Sequence, residues 1–148
     1  MSDYLYKAFA PCDDGKEQIW LDGKSIKGDW VCGNLLKIPY DANGNSDYYI
    51  IKNVDWRDTI YEIHRYSYQV IPETICAAIP GLKDSNGKQV FNHDLLTLNK
   101  LLGVYEVRWH EAQCRYDLYL DGHPVSGCNP DTIKNYEVIE TIFDKENN

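Results

Sequence analysis

Histidine, cysteine and carboxylate side chains are the groups of this chain that could hold a metal ion. The four histidines are His64, His93, His110 and His123. The spacings His110-x-x-x-Cys114 and His123-x-x-x-x-Cys128 resemble single zinc-ligand pairs. A structural zinc ion is held by four protein ligands, usually supplied as two pairs of residues closely spaced in sequence. The sequence contains no C-x-x-C pair. We therefore expect no metal site, and we expect no cofactor.

The segment from Asp84 to Lys88 resembles the start of a calcium-binding loop. An EF-hand loop requires glycine at its sixth position and an acidic residue at its twelfth. Counting from Asp84, the glycine is fourth and the twelfth residue is Leu95. The spacing therefore argues against calcium.

Covalent catalysis would require a nucleophile with an adjacent base, and the sequence has no G-x-S-x-G motif. His93 and Asp94 are consecutive, so on a strand they would point to opposite faces and could not form a dyad. We expect no catalytic residues, and we expect that the protein is not an enzyme.

Charge and aromatic content favour some partners over others. The chain has 148 residues and a net charge of −8, from 23 acidic and 15 basic side chains. Excess negative charge opposes binding to a nucleic-acid backbone and suits a basic partner or simple solvation. The 12 tyrosines and 4 tryptophans fit sheet packing, with anchors in a protein interface as the functional alternative.

The N-terminal stretch and the cysteines bear on the compartment. The N-terminal stretch has no basic segment followed by an apolar one, which is the pattern of a signal peptide. No apolar run in the chain approaches the roughly 18 residues typical of a membrane span. We expect a cytoplasmic protein without a signal peptide or a membrane partner. The five widely spaced cysteines are then free thiols. They are Cys12, Cys32, Cys76, Cys114 and Cys128.

Alternating and aromatic-rich segments predict short strands throughout the chain. The predicted strands are Tyr4–Ala10, Glu17–Leu21, Asp29–Ile38, Asp47–Val54, Ile60–Val70, Asp94–Asn99, Gly103–Glu111 and Arg115–Gly122. Asp-Gly and Asn-Gly pairs at 22–23, 43–44 and 86–87 predict turns. A short helical turn is expected within Pro72–Ala78, and 136–143 is ambiguous between strand and helix.

Strands at roughly ten-residue spacing indicate a mainly β fold, a small barrel or roll with few short helical turns. The region Pro72–Gly81 is the predicted seam between an N-terminal β subdomain, 1–78, and a C-terminal β subdomain, 79–148. One compact unit is the alternative.

The segment Gly81–Leu96 resembles the signature of the YopX-like phage and prophage family, a G-L-K-D-x-N-G-K stretch followed by apolar residues and a Gly-Asp pair. Further similar segments are Gly28–Leu35, Ile71–Thr74, Gly103–Trp109 and Tyr136–Asp144. Three departures stand out. His93 and Glu140 replace glycines of the family pattern, and Cys76–Pro80 replaces its polar-aromatic lead-in. The resemblance implies an SH3-like barrel in the second half, carriage on phages or prophages of bacteria, and no catalytic residues.

These observations favour a small acidic accessory protein in the cytoplasm of a bacterial host cell. It would act as a non-catalytic interaction module that binds and modulates a host protein, such as a defence or nucleic-acid enzyme. The alternative is a nucleic-acid-binding accessory barrel, and homo-oligomerisation through an open strand edge also stays open. The candidate interaction surface consists of Asp84, Asn86, Lys88, His93, Asp94 and Trp109. A structural reading of the same stretch expects Phe91 in the core and Asp94 capping the loop.

Overall fold

The computed structural model describes residues 5–52, 67–99 and 101–145, in which all strand pairings are antiparallel. The strands are β1 (Tyr6–Pro11), β2 (Glu17–Leu21), β3 (Lys24–Pro39), β4 (Ser46–Ile51), β5 (Ser67–Gln69), β6 (Cys76–Lys83), β7 (Gln89–Phe91), β8 (Asp94–Thr97), β9 (Tyr105–His110), β10 (Arg115–Leu120), β11 (His123–Gly127) and β12 (Glu137–Thr141). One short helix, α1 (Pro130–Ile133), and 3₁₀ turns at Pro72–Thr74, Glu111–Gln113 and Ile142–Asp144 complete the described elements. The mainly β prediction is confirmed, and so is the helical turn that begins at Pro72.

The chain forms two compact units that divide between Ala77 and Ala78. Within the described part of the chain, the strand order of neither unit closes on itself. A closed barrel is therefore not observed there, and the SH3-like assignment stays a prediction. No helix in the described ranges is long and apolar enough to cross a membrane.

The N-terminal unit is organised by the long strand β3, which pairs with β1, β2 and β4. The turn Asp22-Gly23 between β2 and β3 has positive φ at both residues, as a two-residue hairpin turn requires. Gly28 lies opposite both Pro11 and Glu17, and a Cβ there would overlap the carbonyl oxygen of Ala10. A side chain at this position would therefore push the strands apart.

One face of this sheet buries the core of the N-terminal unit. The core residues are Ala8, Ala10, Val31, Ile50 and Val70. The predicted strand Glu17–Leu21 corresponds to β2. The predicted strand Asp47–Val54 corresponds to β4 as far as Ile51, and residues 53–54 lie outside the described residues. The predicted strand Ile60–Val70 is described only from Ser67, where β5 begins, and 60–66 lie outside the described residues.

The C-terminal unit contains a five-stranded sheet in the order β11-β10-β9-β8-β12. Strands β8 to β11 form a meander, and α1 leads into β12, which returns to pair with β8. The core of this unit consists of Ile79, Leu82, Val90, Leu96, Val107, Leu118, Ile133 and Val138. The ambiguous segment is thus a strand, Glu137–Thr141, followed by a 3₁₀ turn.

The turn at Asp84–Lys88 is built around the buried Asp84 carboxylate. Its Oδ1 accepts hydrogen bonds from the amides of Asn86, at 2.9 Å, and Lys88, at 2.8 Å. Its Oδ2 accepts the amide of Val138 at 3.0 Å. This carboxylate therefore holds the turn closed and attaches it to β12.

The segment that follows this turn takes the predicted structural roles. Phe91 is buried, and its amide donates to Asp94 Oδ2 at 2.8 Å, so Asp94 caps the loop. His93 has φ of +72°, in the left-handed region where glycine is favoured. This backbone geometry explains why a glycine at this position suits the family pattern. Glu140, the second departure, follows a register irregularity in β12.

Candidate functional site

The β9–β10 hairpin presents a set of polar side chains on one face. Its register places Arg108 opposite Asp117, and alternate residues of a strand share a face. The polar set therefore consists of Glu106, Arg108, His110, Arg115, Asp117 and Tyr119. We call these six residues the polar face. The opposite face of the hairpin carries Val107 and Leu118, which are fully buried in the core.

The Asp117 carboxylate is the buried centre of one half of the polar face. Its side chain is 2% exposed, Oδ1 accepts Arg115 Nε at 2.7 Å, and Oδ2 lies 2.6 Å from His110 Nδ1. An ionised carboxylate can only accept hydrogen bonds, so the Nδ1 of His110 carries the proton and Nε2 is directed away from Asp117. We call these three residues the Asp117 triad.

Glu106 organises the other half of the polar face in the same way. Arg108 Nη2 donates to Glu106 Oε1 at 2.8 Å, and His93 Nδ1 lies 3.1 Å from Oε2. Burial raises the pKa of Glu106, but the hydrogen bonds with His93 and Arg108 outweigh burial and leave it lowered. The hydrogen bond to Glu106 likewise raises the pKa of Arg108. We call His93, Glu106 and Arg108 the Glu106 triad.

Tyr119 lies between the two triads. The Arg108 guanidinium lies 4.6 Å from the centre of the Tyr119 ring, within the range of a cation–π contact. The His110 ring meets the same ring edge-on, with centroids 6.0 Å apart. The two triads and the tyrosine thus form one contiguous network.

The arginines of this network are far more exposed to solvent than the carboxylates that they contact. The side chains of Arg108 and Arg115 are 43% and 56% exposed, whereas Glu106 and Asp117 are 15% and 2% exposed. Each carboxylate is therefore a largely buried hydrogen-bond acceptor that restricts one arginine and one histidine. The arrangement presents oriented hydrogen-bonding groups beside an aromatic ring, which suits recognition of a polar partner.

Metal-binding and thiol chemistry receive little support from the described ranges. No group of three or more His, Cys, Asp or Glu side chains is placed there to hold a metal ion. Burial, with a further contribution from the Asp117 charge, raises the pKa of Cys128 to about 12. The Cys128 thiol is therefore protonated at neutral pH and is a poor nucleophile.

The structure distributes the residues of the predicted interaction surface over several places. His93 joins the polar face through Glu106, while Asp84 and Asp94 are buried and bond backbone amides. Asn86 and Lys88 are exposed in the turn. Trp109, 46% exposed, points to the other side of β9 and packs edge-on against Tyr116.

The polar face itself was missed by the sequence reasoning, apart from its neighbour His93. A signal was present, because alternate residues read Glu-x-Arg-x-His in 106–110 and Arg-x-Asp-x-Tyr in 115–119. Pairing these two segments as a hairpin would have placed all six polar residues on one face.

The family model described as YopX protein matches residues 28–147. A search among curated proteins found no match. The family match covers most of the C-terminal unit and includes the whole polar face together with His93. The chain therefore belongs to the YopX protein family.

Proposed function

We propose that this protein is a phage- or prophage-derived accessory module that binds and modulates a protein of its bacterial host, without catalysing a reaction. The proposal takes the polar face, with His93 beside it, as the interaction surface. The observation that carries it is the anchoring of two exposed arginines and two histidines by two carboxylates that are themselves largely buried.

Anchoring of this kind favours binding because the side chains are ordered before the partner arrives. Immobilising a flexible side chain at an interface costs about 0.5–1.5 kcal/mol. In the polar face, hydrogen bonds to Glu106 and Asp117 already restrict Arg108 and Arg115. Arginine and tyrosine are also among the residues that most often dominate binding energy at interfaces.

The electrostatic environment supports a protein partner with basic regions. The two arginines of the polar face balance its two carboxylates, so the net charge of −8 resides elsewhere in the chain. That excess would steer a basic partner, while the polar face would provide specific hydrogen bonds.

The chemistry of the face supports a binding role rather than covalent catalysis. Its six residues include no serine, threonine or cysteine, and its two carboxylates and His110 are already engaged in hydrogen bonds within the face. The neighbouring Cys128, with a pKa of about 12, holds a protonated thiol at neutral pH.

Single-stranded nucleic acid is a second candidate partner, supported by the cation–π contact between Arg108 and Tyr119. Aromatic rings flanked by cations are common in single-strand binding sites. The net charge opposes this alternative. An electrophoretic shift with single-stranded DNA or RNA at low salt would support it.

We also propose that the C-terminal unit is an SH3-like barrel. The support is its topology, in which a four-stranded meander from β8 to β11 is followed by the short helix α1, and β12 then returns beside β8. An experimental structure of the unit would test whether further strand pairing joins the two edge strands of this sheet, β11 and β12, into a closed barrel.

The interaction proposal is tested by affinity capture from host lysate, with and without nuclease, followed by reconstitution with the purified partner. The test variant is Arg108→Gln/Arg115→Gln. The control is Lys24→Gln/Lys134→Gln, which changes the net charge equally at exposed positions.

A stoichiometric host protein that survives nuclease, binds the control, and binds the test variant at least about tenfold more weakly supports the proposal. Equal binding to both variants would exclude the polar face as the surface. Capture that disappears with nuclease would support the nucleic-acid alternative.

A further inference from the structure

We propose that the Asp117 triad is a binding site for one oxyanion, a carboxylate or phosphoryl group, held by Arg115 and a protonated His110. This inference rests on the proposed function and specifies the chemistry that the polar face recognises. The oxyanion would be carried by the partner, and free anions serve as probes of the site.

The donors of this site are held by a single buried acceptor. Arg115 uses its Nε to bond Asp117, which leaves the two Nη groups without a hydrogen-bond partner among the described residues. His110 uses its Nδ1, which leaves Nε2 without a hydrogen-bond partner there. Arg115 and His110 are directly opposite each other in the β9–β10 ladder, and both are held by the one carboxylate of Asp117.

The neighbouring strand leaves space for the guanidinium. Gly127 of β11 lies opposite Asp117, and a Cβ at Gly127 would lie 3.4 Å from Arg115 Cζ. A larger side chain would contact the guanidinium and compete with a ligand for it. The absence of a side chain at this position therefore keeps Arg115 accessible, in agreement with its 56% exposure.

The geometry also determines which ligand is complementary. Arginine has five N–H donors, and its terminal nitrogens match the oxygens of a carboxylate or phosphate. Neutral His110 would present the lone pair of Nε2 to the anion, whereas protonated His110 presents an N–H donor. Binding of a fully ionised anion is therefore expected to be accompanied by protonation of His110.

The charges around His110 are consistent with proton uptake. Asp117 contacts its Nδ1, Arg115 lies opposite on β10, and Tyr119 lies beside the ring. On β9, Arg108 is already paired with Glu106. Since Arg115 is likewise paired with Asp117, the positive charge opposing protonation of His110 is largely compensated, and a bound anion adds a favourable charge.

The test is a titration of the full chain with inorganic phosphate and, separately, with acetate, against chloride at matched ionic strength. NMR signals of the His110 ring and the Arg115 Nε–H report binding. The variants are His110→Gln and Arg115→Gln, and their controls are the exposed His123→Gln and Lys134→Gln. Arg115→Lys keeps the charge but removes the planar fork, and it serves if Arg115→Gln does not fold.

We expect saturable shifts at both reporter signals, with affinity falling up to tenfold per pH unit as the pH rises and the site loses its proton. We expect Arg115→Gln and His110→Gln to weaken binding at least about tenfold, while the controls change it less than about twofold. Saturation by phosphate alone assigns a phosphoryl ligand, and saturation by acetate assigns a carboxylate. Three results would overturn the inference. They are chemical-shift changes that chloride reproduces at matched ionic strength, changes that persist in both site variants, and an affinity that does not depend on pH.

The two proposals fail separately. Anion binding at the Asp117 triad without a host partner that depends on the polar face would remove the proposed function alone. A partner that requires Arg108 and Arg115, together with no anion binding, would remove the oxyanion site alone.

Discussion

Asp117→Asn tests whether a buried carboxylate anchors the polar face. The substitution keeps the side-chain shape but removes the charge and replaces one acceptor oxygen with a donor. The two hydrogen bonds at 2.6 and 2.7 Å are both charge-assisted, and such bonds contribute about 1.5–3 kcal/mol each.

The expected loss is smaller than the sum of these two contributions. Breaking a fully buried ion pair costs about 3–5 kcal/mol, because a charge is left without a partner in the interior. Here the Arg115 side chain is 56% exposed and can be solvated by water after the substitution. We therefore expect Asp117→Asn to lower the free energy of unfolding by about 2–3 kcal/mol.

Urea unfolding measures this difference, with Asp131→Asn as the matched control. The Asp131 side chain is 97% exposed and its ion pair with Lys134 spans 4.0 Å, so this control should change stability by less than about 0.5 kcal/mol. A double-mutant cycle of Asp117→Asn with Arg115→Gln should give a coupling of about 1 kcal/mol. A stability change for Asp117→Asn no larger than that of the control would refute the anchoring role.

Three further predictions follow from the C-terminal unit and the cysteines. His93→Gly should be more stable than His93→Ala by about 1 kcal/mol in urea unfolding, because both lose the imidazole but only glycine accepts a φ of +72° without strain; equal stability would contradict this. Because the pKa of Glu106 is lowered in the folded protein, ionised Glu106 stabilises the fold at pH values above its ordinary pKa of 4.5. The stability advantage of the wild type over Glu106→Gln should therefore shrink as the pH falls below 4.5. A difference that does not depend on pH would count against the Glu106 triad. Because its pKa is raised to about 12, Cys128 should remain unmodified by iodoacetamide at neutral pH, whereas the exposed Cys12 and Cys114 should be alkylated. Peptide mass spectrometry measures the labelling of each cysteine, and equal labelling would contradict the burial of Cys128.

Local signals in the sequence were sufficient for the fold class and for many of the turns. Period-two alternation predicted β9 and β10, and the Asp-Gly pair at 22–23 predicted a tight hairpin that the structure contains. The roles of Phe91 and Asp94 were also predictable, because a buried aromatic residue and a capping carboxylate act over a few residues. Family membership followed from the same short segments, and the family match confirms it.

The candidate site depended on tertiary structure, because its contacts join residues from different elements. His93 lies 13 residues before Glu106, and the two meet only after the turn before β8 and the β8–β9 pairing are formed. The sequence contains His110 and Arg115, but their shared hydrogen-bond acceptor, Asp117, depends on the register of β9 against β10. A shift of this register by one residue would move Asp117 to the opposite face. Alternation along a strand thus determined which residues could share a face, while strand register and burial decided which of them form a network.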